Sequence, residues 1–405
     1  MITKSYQIVL TKKEKKIMRL TIGSHSLVHL FEGVLPPLIP LMITQFNTDY
    51  FHLGLVVTVF SYAFGLGSLP AGIIADRLGP RRLISMYLFS AGLFAVLIWP
   101  VQTLWTYGII MGFIGLCCST YHPASNTLIS LTMINKGHAF GVHGIAGSLG
   151  VACVPVLSAW IGSIFGWRTP HVLYGIIGIF LGVYSLGVAD HHAKPIEESD
   201  KKISFIKLDR KAILTICVFF LSATALGMTY KGIMTFLPTY MGTRVKLSFL
   251  NLNSVTLGGT IATLALLSGA IGQYLAGRLV DSYSAEKLYL GAVMIGMICV
   301  FIMAVSTDVL LVVIAVIYAF FYFSTQPIQN LLVSRYLPPH RQGLGYGILF
   351  FLTFGVGSTA AAVSGYIADQ LGLEAVFIFM GGCFIVSASM VLLLVLRAGQ
   401  KRLTT

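Results

Sequence analysis

Long apolar runs, each about the length of one bilayer crossing, leave this chain almost no other way to fold. A hydrocarbon core of ~30 Å takes about 20 apolar residues in helical form. Runs of that order recur at 18–43, 52–75, 81–100, 104–131, 139–163, 170–188, 211–237, 254–280, 286–305, 309–334, 342–367 and 374–396. They predict an all-α membrane protein with twelve transmembrane helices. Composition agrees, because only 10% of the 405 residues are charged while 56% are apolar. A soluble domain carries about 25% charged residues. Too few are present here to cover a water-facing surface, so most of the exterior faces lipid.

The net charge of +13 is distributed in a way that argues against nucleic-acid binding. Of the 27 Lys and Arg residues, 23 fall on one side of the predicted topology, including Lys4 to Arg19 before the first run and Lys194 to Lys211 between the sixth and seventh. Only Arg168, Arg244 and Lys246 fall on the other side, and Lys231 lies inside a run. An excess of basic residues marks the cytoplasmic side, so both termini are expected there. The opening MITKSYQIVLTKKEKK has no short apolar core ending in a small-residue cleavage site, and reads as a cytoplasmic tail before a retained first helix. The six cysteines (Cys117, Cys118, Cys153, Cys217, Cys299 and Cys383) all sit in apolar runs with no CxxC pair. They read as packing residues rather than as disulfides or a zinc site.

The chain carries traces of an internal duplication. Pro123 and Pro327, Asn126 and Asn330, Ser130 and Ser334, and Gly141 and Gly345 are each 204 positions apart. Gly72 and Asp76 recur as Gly277 and Asp281 at an offset of 205, and Leu35-Pro36 recurs as Leu237-Pro238 at 202. A near-constant offset at several places indicates two related halves. The division expected is a cytoplasmic tail over 1–17, a six-helix bundle over 18–188, a polar linker over 189–210, a second six-helix bundle over 211–396, and a tail over 397–405.

Two motifs concern motion between the halves. After the second run the sequence reads Gly72-Ile-Ile-Ala-Asp76-Arg77-Leu78-Gly79-Pro80-Arg81-Arg82. A small residue at 72 lets helices approach closely. Asp76 lies at the C-terminal end of its helix, where a carboxylate is disfavoured unless a cation pairs with it. Arg77, Arg81 and Arg82 are the available partners. This loop resembles the signature loop of the major facilitator superfamily, and its degenerate second copy runs from Gly277 to Asp281. The resemblance implies two pseudo-symmetric six-helix bundles, and a latch at 72–82 that favours the outward-facing state. In the fifth run, Gly141, Gly144, Gly147 and Gly150 at spacing three form a smooth face expected to pack on a span of the other half, with Pro155 bending the helix. This run resembles the Gly-rich motif of the superfamily's antiporters.

A further set of residues comprises His25-Ser26-Leu27-Val28-His29, Pro37 to Pro40, Tyr121-His122-Pro123 and Lys136-Gly137-His138. It resembles the fosmidomycin-resistance branch, which implies a proton-coupled exporter in a bacterial inner membrane, mostly monomeric. The sequence departs from the branch at Ala124 and Thr127, and Gly108 stands where the superfamily carries a membrane arginine.

Ionisable groups inside a bilayer are costly and therefore functional candidates. Of the fourteen acids, only Glu32 lies well inside a run. His25, His29 and Glu32 sit at i, i+4 and i+7, on one face of the first helix. Lys231 lies within the seventh run, at the position that the 202 offset maps onto His29. The family fold places spans one, four, seven and ten around a central cavity. That adds Tyr121, His122 and Asn126, and Tyr322, Gln326, Gln329 and Asn330, as substrate- or proton-binding candidates. An imidazole changes charge between pH 5 and 8, and burial moves a carboxylate toward that range. Glu32 and the histidines are therefore the expected proton sites, with Lys231 as partner of Glu32 or of an anionic substrate. The bland alternative is a static Glu32–Lys231 pair with histidines bonded to backbone carbonyls. His122 has such a carbonyl nearby, freed by Pro123, and His143 reads as a packing residue.

The preferred reading is a secondary transporter of a small organic, anionic or zwitterionic solute, coupled to protons and directed outward. Uptake of an organic anion with a proton is one alternative. Transport of a divalent metal through His25, His29 and Glu32 is another, although the nearby Lys231 repels a cation. His25 and His29 have no intervening Glu, so they are not a metalloprotease motif, and no enzyme is expected. The expected partners are a small-molecule substrate, protons and the lipid bilayer, with no resident metal, cofactor or nucleic acid.

Overall fold

The structure, a computed structural model, describes residues 10–189, 210–247, 251–280, 282–337 and 342–403. The described residues form helices throughout, which fall into twelve spans. Spans 1 to 6 are Lys12–Gly33 with Ile39–Phe46, Tyr50–Leu78, Pro80–Val96, Leu104–Cys118 with Tyr121–Thr132, Lys136–Phe165, and Arg168–Leu186. Spans 7 to 10 are Arg210–Arg244, Ser254–Leu279, Ala285–Val305 and Asp308–Tyr336. Span 11 joins Gln342–Phe350 to Thr359–Leu371, and span 12 is Leu373–Leu403. Eleven of these segments are long and apolar enough to cross a membrane unaided. Span 3, at 17 residues, is at the lower limit for a crossing.

Two ends differ from the sequence expectation. The first helix begins at Lys12, inside the expected tail over 1–17, because Thr11 and Glu14 form a capping box. Glu14 Oε2 accepts from the Thr11 amide at 2.9 Å, and Thr11 Oγ1 accepts from the Glu14 amide at 3.2 Å. The other carboxylate oxygen of Glu14 accepts from the Ile134 amide at 3.2 Å, tying the loop between spans 4 and 5 to span 1. At the other end the helix runs on through Arg397 to Leu403, into the expected tail over 397–405. Of the expected linker over 189–210, residues 190–209 lie outside the described residues, and Arg210 already opens the helix of span 7.

Spans 1 and 4 break where prolines remove backbone donors. Pro36 and Pro37 turn span 1 through one tight 3-10 turn before it resumes at Ile39. In span 4, Pro123 cannot donate to the Ser119 carbonyl, and the helix restarts at Tyr121. That carbonyl accepts instead from Ser68 Oγ of span 2 at 3.4 Å, so His122 is not its partner. Span 11 loosens into a π-turn over Phe351–Gly355, a device that re-aims side chains at functional sites.

Packing repeats between the halves. Span 2 packs on span 4 as span 8 does on span 10, and span 3 packs on span 6 as span 9 does on span 12. The halves meet along two seams, span 2 on span 11 and span 5 on span 8. On the first seam, a Cβ at Gly54 would strike the Ala361 carbonyl, and one at Gly365 would strike the Tyr50 carbonyl. Only glycine permits so close a crossing.

The hydrogen bonds between the halves cluster away from the start of span 1. Thr58 Oγ1 donates to the Ser358 carbonyl at 2.8 Å, and Tyr62 meets Thr359 at 2.9 Å. The Val156 amide donates to Thr263 Oγ1 and Trp160 Nε1 to Thr260 Oγ1, both at 3.1 Å. At the outermost point, Asp369 of span 11 accepts from the Tyr50 and Phe51 amides at 3.0 and 2.8 Å, capping the N-terminus of span 2. At the opposite end the seam parts. A Cβ at Gly141 or Gly144, in the first turns of span 5, would meet nothing within 4 Å. The halves are therefore bonded together at one end, the closed end, and parted along span 5 at the end where span 1 begins, the open end.

Candidate functional site

A cavity of about 290 Å³ lies between the halves on the open side. Nine of the expected residues line it: His25, His29 and Glu32 from span 1, His122 and Asn126 from span 4, and Tyr322, Gln326, Gln329 and Asn330 from span 10. Two do not. Tyr121 is fully buried behind the wall, where its hydroxyl donates to the Thr21 carbonyl at 2.6 Å and lies 3.0 Å from His143 Nε2. Lys231 lines a second, smaller chamber of about 60 Å³ on the closed side. His29 and Glu32 line both.

An ion pair also links the halves at this partition. Lys231 Nζ lies 2.6 Å from Glu32 Oε1, and the two side chains are only 5% and 11% exposed. The other oxygen, Oε2, is 3.0 Å from His29 Nδ1. The ammonium also sits 5.6 Å from the Tyr230 ring and 5.4 Å from the Phe354 ring, within the range of cation–π attraction.

Four imidazoles gather beside the pair. His25 and His143 stack with centroids 4.0 Å apart, and His25 lies 5.2 Å from His29 and 5.1 Å from His122. His25 Nδ1 is 2.6 Å from the His143 carbonyl. A carbonyl only accepts, so Nδ1 carries the hydrogen and Nε2 is left to exchange a proton or bind a ligand. Nitrogens of His25, His29 and His122 lie within 4.8 Å of one another, close enough to converge on a metal ion after small rotations. Glu32 of the alternative metal set weighed from sequence is not in that group, and its two oxygens are bonded to Lys231 and His29.

The second half supplies amides and rings. Gln273 Nε2 donates to Gln326 Oε1 at 2.9 Å, while Gln273 Oε1 accepts from Ser148 Oγ at 2.8 Å, joining spans 5, 8 and 10. Two expected contact groups are held by buried neighbours. The Tyr322 hydroxyl donates to the Leu226 carbonyl at 3.1 Å, so this residue presents its ring, stacked on Tyr230 at 5.6 Å. Gln329 Nε2 donates to the Tyr289 hydroxyl at 2.8 Å.

Sequence reasoning missed Tyr230, Gln273, Ser148 and Phe354, which also line the cavity. Gln273 was the findable one, as an amide inside an otherwise apolar run. His143, read from sequence as packing, both stacks on His25 and lines the cavity. The glycine face also differs from expectation. A Cβ at Gly147 would strike the His25 ring, and one at Gly150 the Ser26 backbone, so this face packs on span 1 of its own half. Close contact with the other half includes the Pro155 carbonyl and Ala159, which meet Gly259 of span 8.

In the loop expected to act as a latch, Gly79 takes a φ of +90° that glycine alone adopts freely, turning the chain from span 2 into span 3. Arg77 and Arg82 are exposed and Arg81 is half-buried. Gly277 lies 4.0 Å from Pro327 Cβ, counted from a virtual Cβ. The surroundings of Gly72, the side chain of Asp76 and the whole of Asp281 lie outside the described residues.

Twelve spans in two matching halves around a polar cavity define a membrane carrier, and comparison with known proteins gives its family. The sequence model of the Major Facilitator Superfamily matches residues 21–362 and 251–404, and the chain belongs to that family. It is 26% identical to a probable L-galactonate transporter of Escherichia coli over 59% of this chain and 54% of that protein. It is 25% identical to a probable galactarate/D-glucarate transporter of Bacillus subtilis, covering 86% and 84%. The fosmidomycin resistance protein of Escherichia coli is 24% identical over 88% of each chain. Among solved structures, a point mutant of the nucleoside transporter NupG superposes with a TM-score of 0.77 at 16% identity, over 94% of this chain and 99% of that one. A D-xylose-proton symporter gives 0.73 at 14%, over 94% and 97%. The protein is a transporter and not an enzyme.

Proposed function

We propose that the chain is a proton-coupled secondary transporter of a small organic anion, working by alternating access. The observation that carries this reading is the Glu32–Lys231 pair, which joins the halves at 2.6 Å on the partition between the two chambers. Its acid lines both chambers and can therefore exchange protons with whichever side is open. A buried pair of this kind adds little to stability, and ionisable groups at this depth are functional candidates. His29, bonded to Glu32, together with His25 and His122, forms the route between the cavity water and the acid. Asn126, Gln326, Asn330 and the stacked Tyr230–Tyr322 rings form the substrate wall.

Resemblance to the fosmidomycin-resistance branch speaks for export, and likeness to the L-galactonate and galactarate/D-glucarate transporters speaks for hydroxylated acids as cargo. Metal as cargo has no such support, and the fixed ammonium of Lys231 opposes it. We place the protein in a bacterial cytoplasmic membrane as a monomer, both termini inside, so that the open end described above faces the cytoplasm. The loop from Gly72 to Arg82 and its copy at Gly277–Asp281 would latch that end when it closes. The test is flux in proteoliposomes with a panel of organic acids and drugs under an imposed pH gradient. A gradient should drive accumulation of at least one acid in the parent, and accumulation indifferent to the gradient would remove the coupling.

A further inference from the structure

We infer that Glu32 and the substrate's carboxylate are alternative partners of Lys231, so that one proton and one organic anion bind together and cross together. This rests on the proton-coupled reading and fixes its sign as symport.

The geometry sets the competition. Glu32 lines the main cavity and Lys231 does not, so the carboxylate stands between an incoming solute and the ammonium. Lys231 is 4% exposed, and the hydrogen-bond partner of its Nζ is Glu32 Oε1. The groups facing Glu32 from every packed element are few. Its own helix supplies His29 and, beyond it, His25; span 4 supplies His122 and span 5 His143. Span 7 supplies Lys231 and Tyr230, while spans 2, 8 and 11 present Val57, Ala262, Leu266 and Phe354, none of them charged. Among the described residues, Glu32 is therefore the one fixed anion available to Lys231.

Charge balance then decides the order of binding. With Glu32 ionised the pair is neutral, and an added carboxylate would place two anions on one ammonium. With Glu32 protonated and no substrate, the buried ammonium has no counter-ion, a strongly disfavoured state. Only the two events together restore neutrality: a proton passes from water to Glu32, and the substrate carboxylate takes its place at Nζ. No bond within the substrate changes. His29 Nδ1, on the other carboxyl oxygen, holds the Glu32 side chain in place as Oε1 lets go. Antiport would require the anion to bind while Glu32 stays ionised. The opposite wall, with Gln326 and Asn330, offers donors and acceptors for hydroxyl groups, so the class of substrate indicated is a small hydroxylated carboxylate.

The experiment is a thermal-shift and binding series on the full-length protein in nanodiscs, with L-galactonate, D-glucarate and acetate as probes. Glu32→Gln mimics the protonated acid. At pH 8 it should gain several degrees at about 10 mM of a probe, whereas the parent and Glu32→Gln/Lys231→Met should not. In the parent, affinity should rise about tenfold for each unit the pH is lowered, the signature of one proton taken up with one anion. The parent series keeps the idea testable should the variant fold poorly. No probe-dependent shift in any background, a shift equal in the double variant, or a parent affinity that weakens as pH falls would each overturn it. Should anions bind with this dependence while their flux in proteoliposomes moves no protons, the proton-coupled reading fails and exchange at Lys231 stands.

Discussion

Replacing Asp369 with Ala should tilt the carrier toward its opposite state. This carboxylate reaches from span 11 to the first two amides of span 2, at 3.0 and 2.8 Å, and so exists as a cap only while the closed end is closed. A helix N-cap is worth about 0.5–2 kcal/mol, and a charge at a helix N-terminus about 0.3–1 kcal/mol at an exposed site. The two overlap and Asp369 is exposed, so about 1–2 kcal/mol is the expected loss, all of it from one state. That is about a 5- to 30-fold change in the ratio of states. A reporter cysteine at Val57, which lines the outer chamber and is 8% exposed, reads the ratio directly. Its reaction with an impermeant thiol reagent applied from the closed side is proportional to the population open there. The Asp369→Ala background should speed labelling about tenfold and Asp369→Glu much less. A rate within twofold of the parent would show that the cap carries no state preference.

Other consequences follow from the same geometry. Lys231→Ala leaves Glu32 buried without its cation and should cost about 3–5 kcal/mol of stability, with most of it regained in Glu32→Gln/Lys231→Met; equal melting points for the single and double variants would contradict this. Gly147→Val drives a side chain into the His25 ring and should lower the melting temperature by several degrees, while Gly144→Val, with open space around it, should stay within about 0.5 kcal/mol of the parent by chemical denaturation. Tyr322→Phe removes a bond to the Leu226 carbonyl and should cost about 1 kcal/mol in stability without weakening substrate binding, because its hydroxyl faces away from the cavity; a tenfold loss of affinity would reverse that assignment.

Hydropathy and charge bias made the spans readable, because the bilayer imposes a length and leaves few places for a charge. The ends were less readable. Thr11 and Glu14 start span 1 early through a local bond that a hydropathy count does not register. The Glu32–Lys231 contact could be anticipated, since an acid and a base buried in pseudo-equivalent helices have few other partners. Side-chain direction was the hidden part. Tyr121 and Tyr322 occur on the right helices, but their hydroxyls satisfy buried neighbours rather than the cavity. The glycines of span 5 make a face, as their spacing says, but periodicity does not name the neighbour, which is span 1.

The account turns on Glu32 as the group through which a proton gradient does work. Its most direct test is uptake by Glu32→Gln proteoliposomes of an acid that the parent concentrates under a pH gradient. The variant should still exchange that acid across the membrane, yet bring it only to equal concentration on both sides. Accumulation by the variant above that level, driven by the gradient, would contradict the assignment.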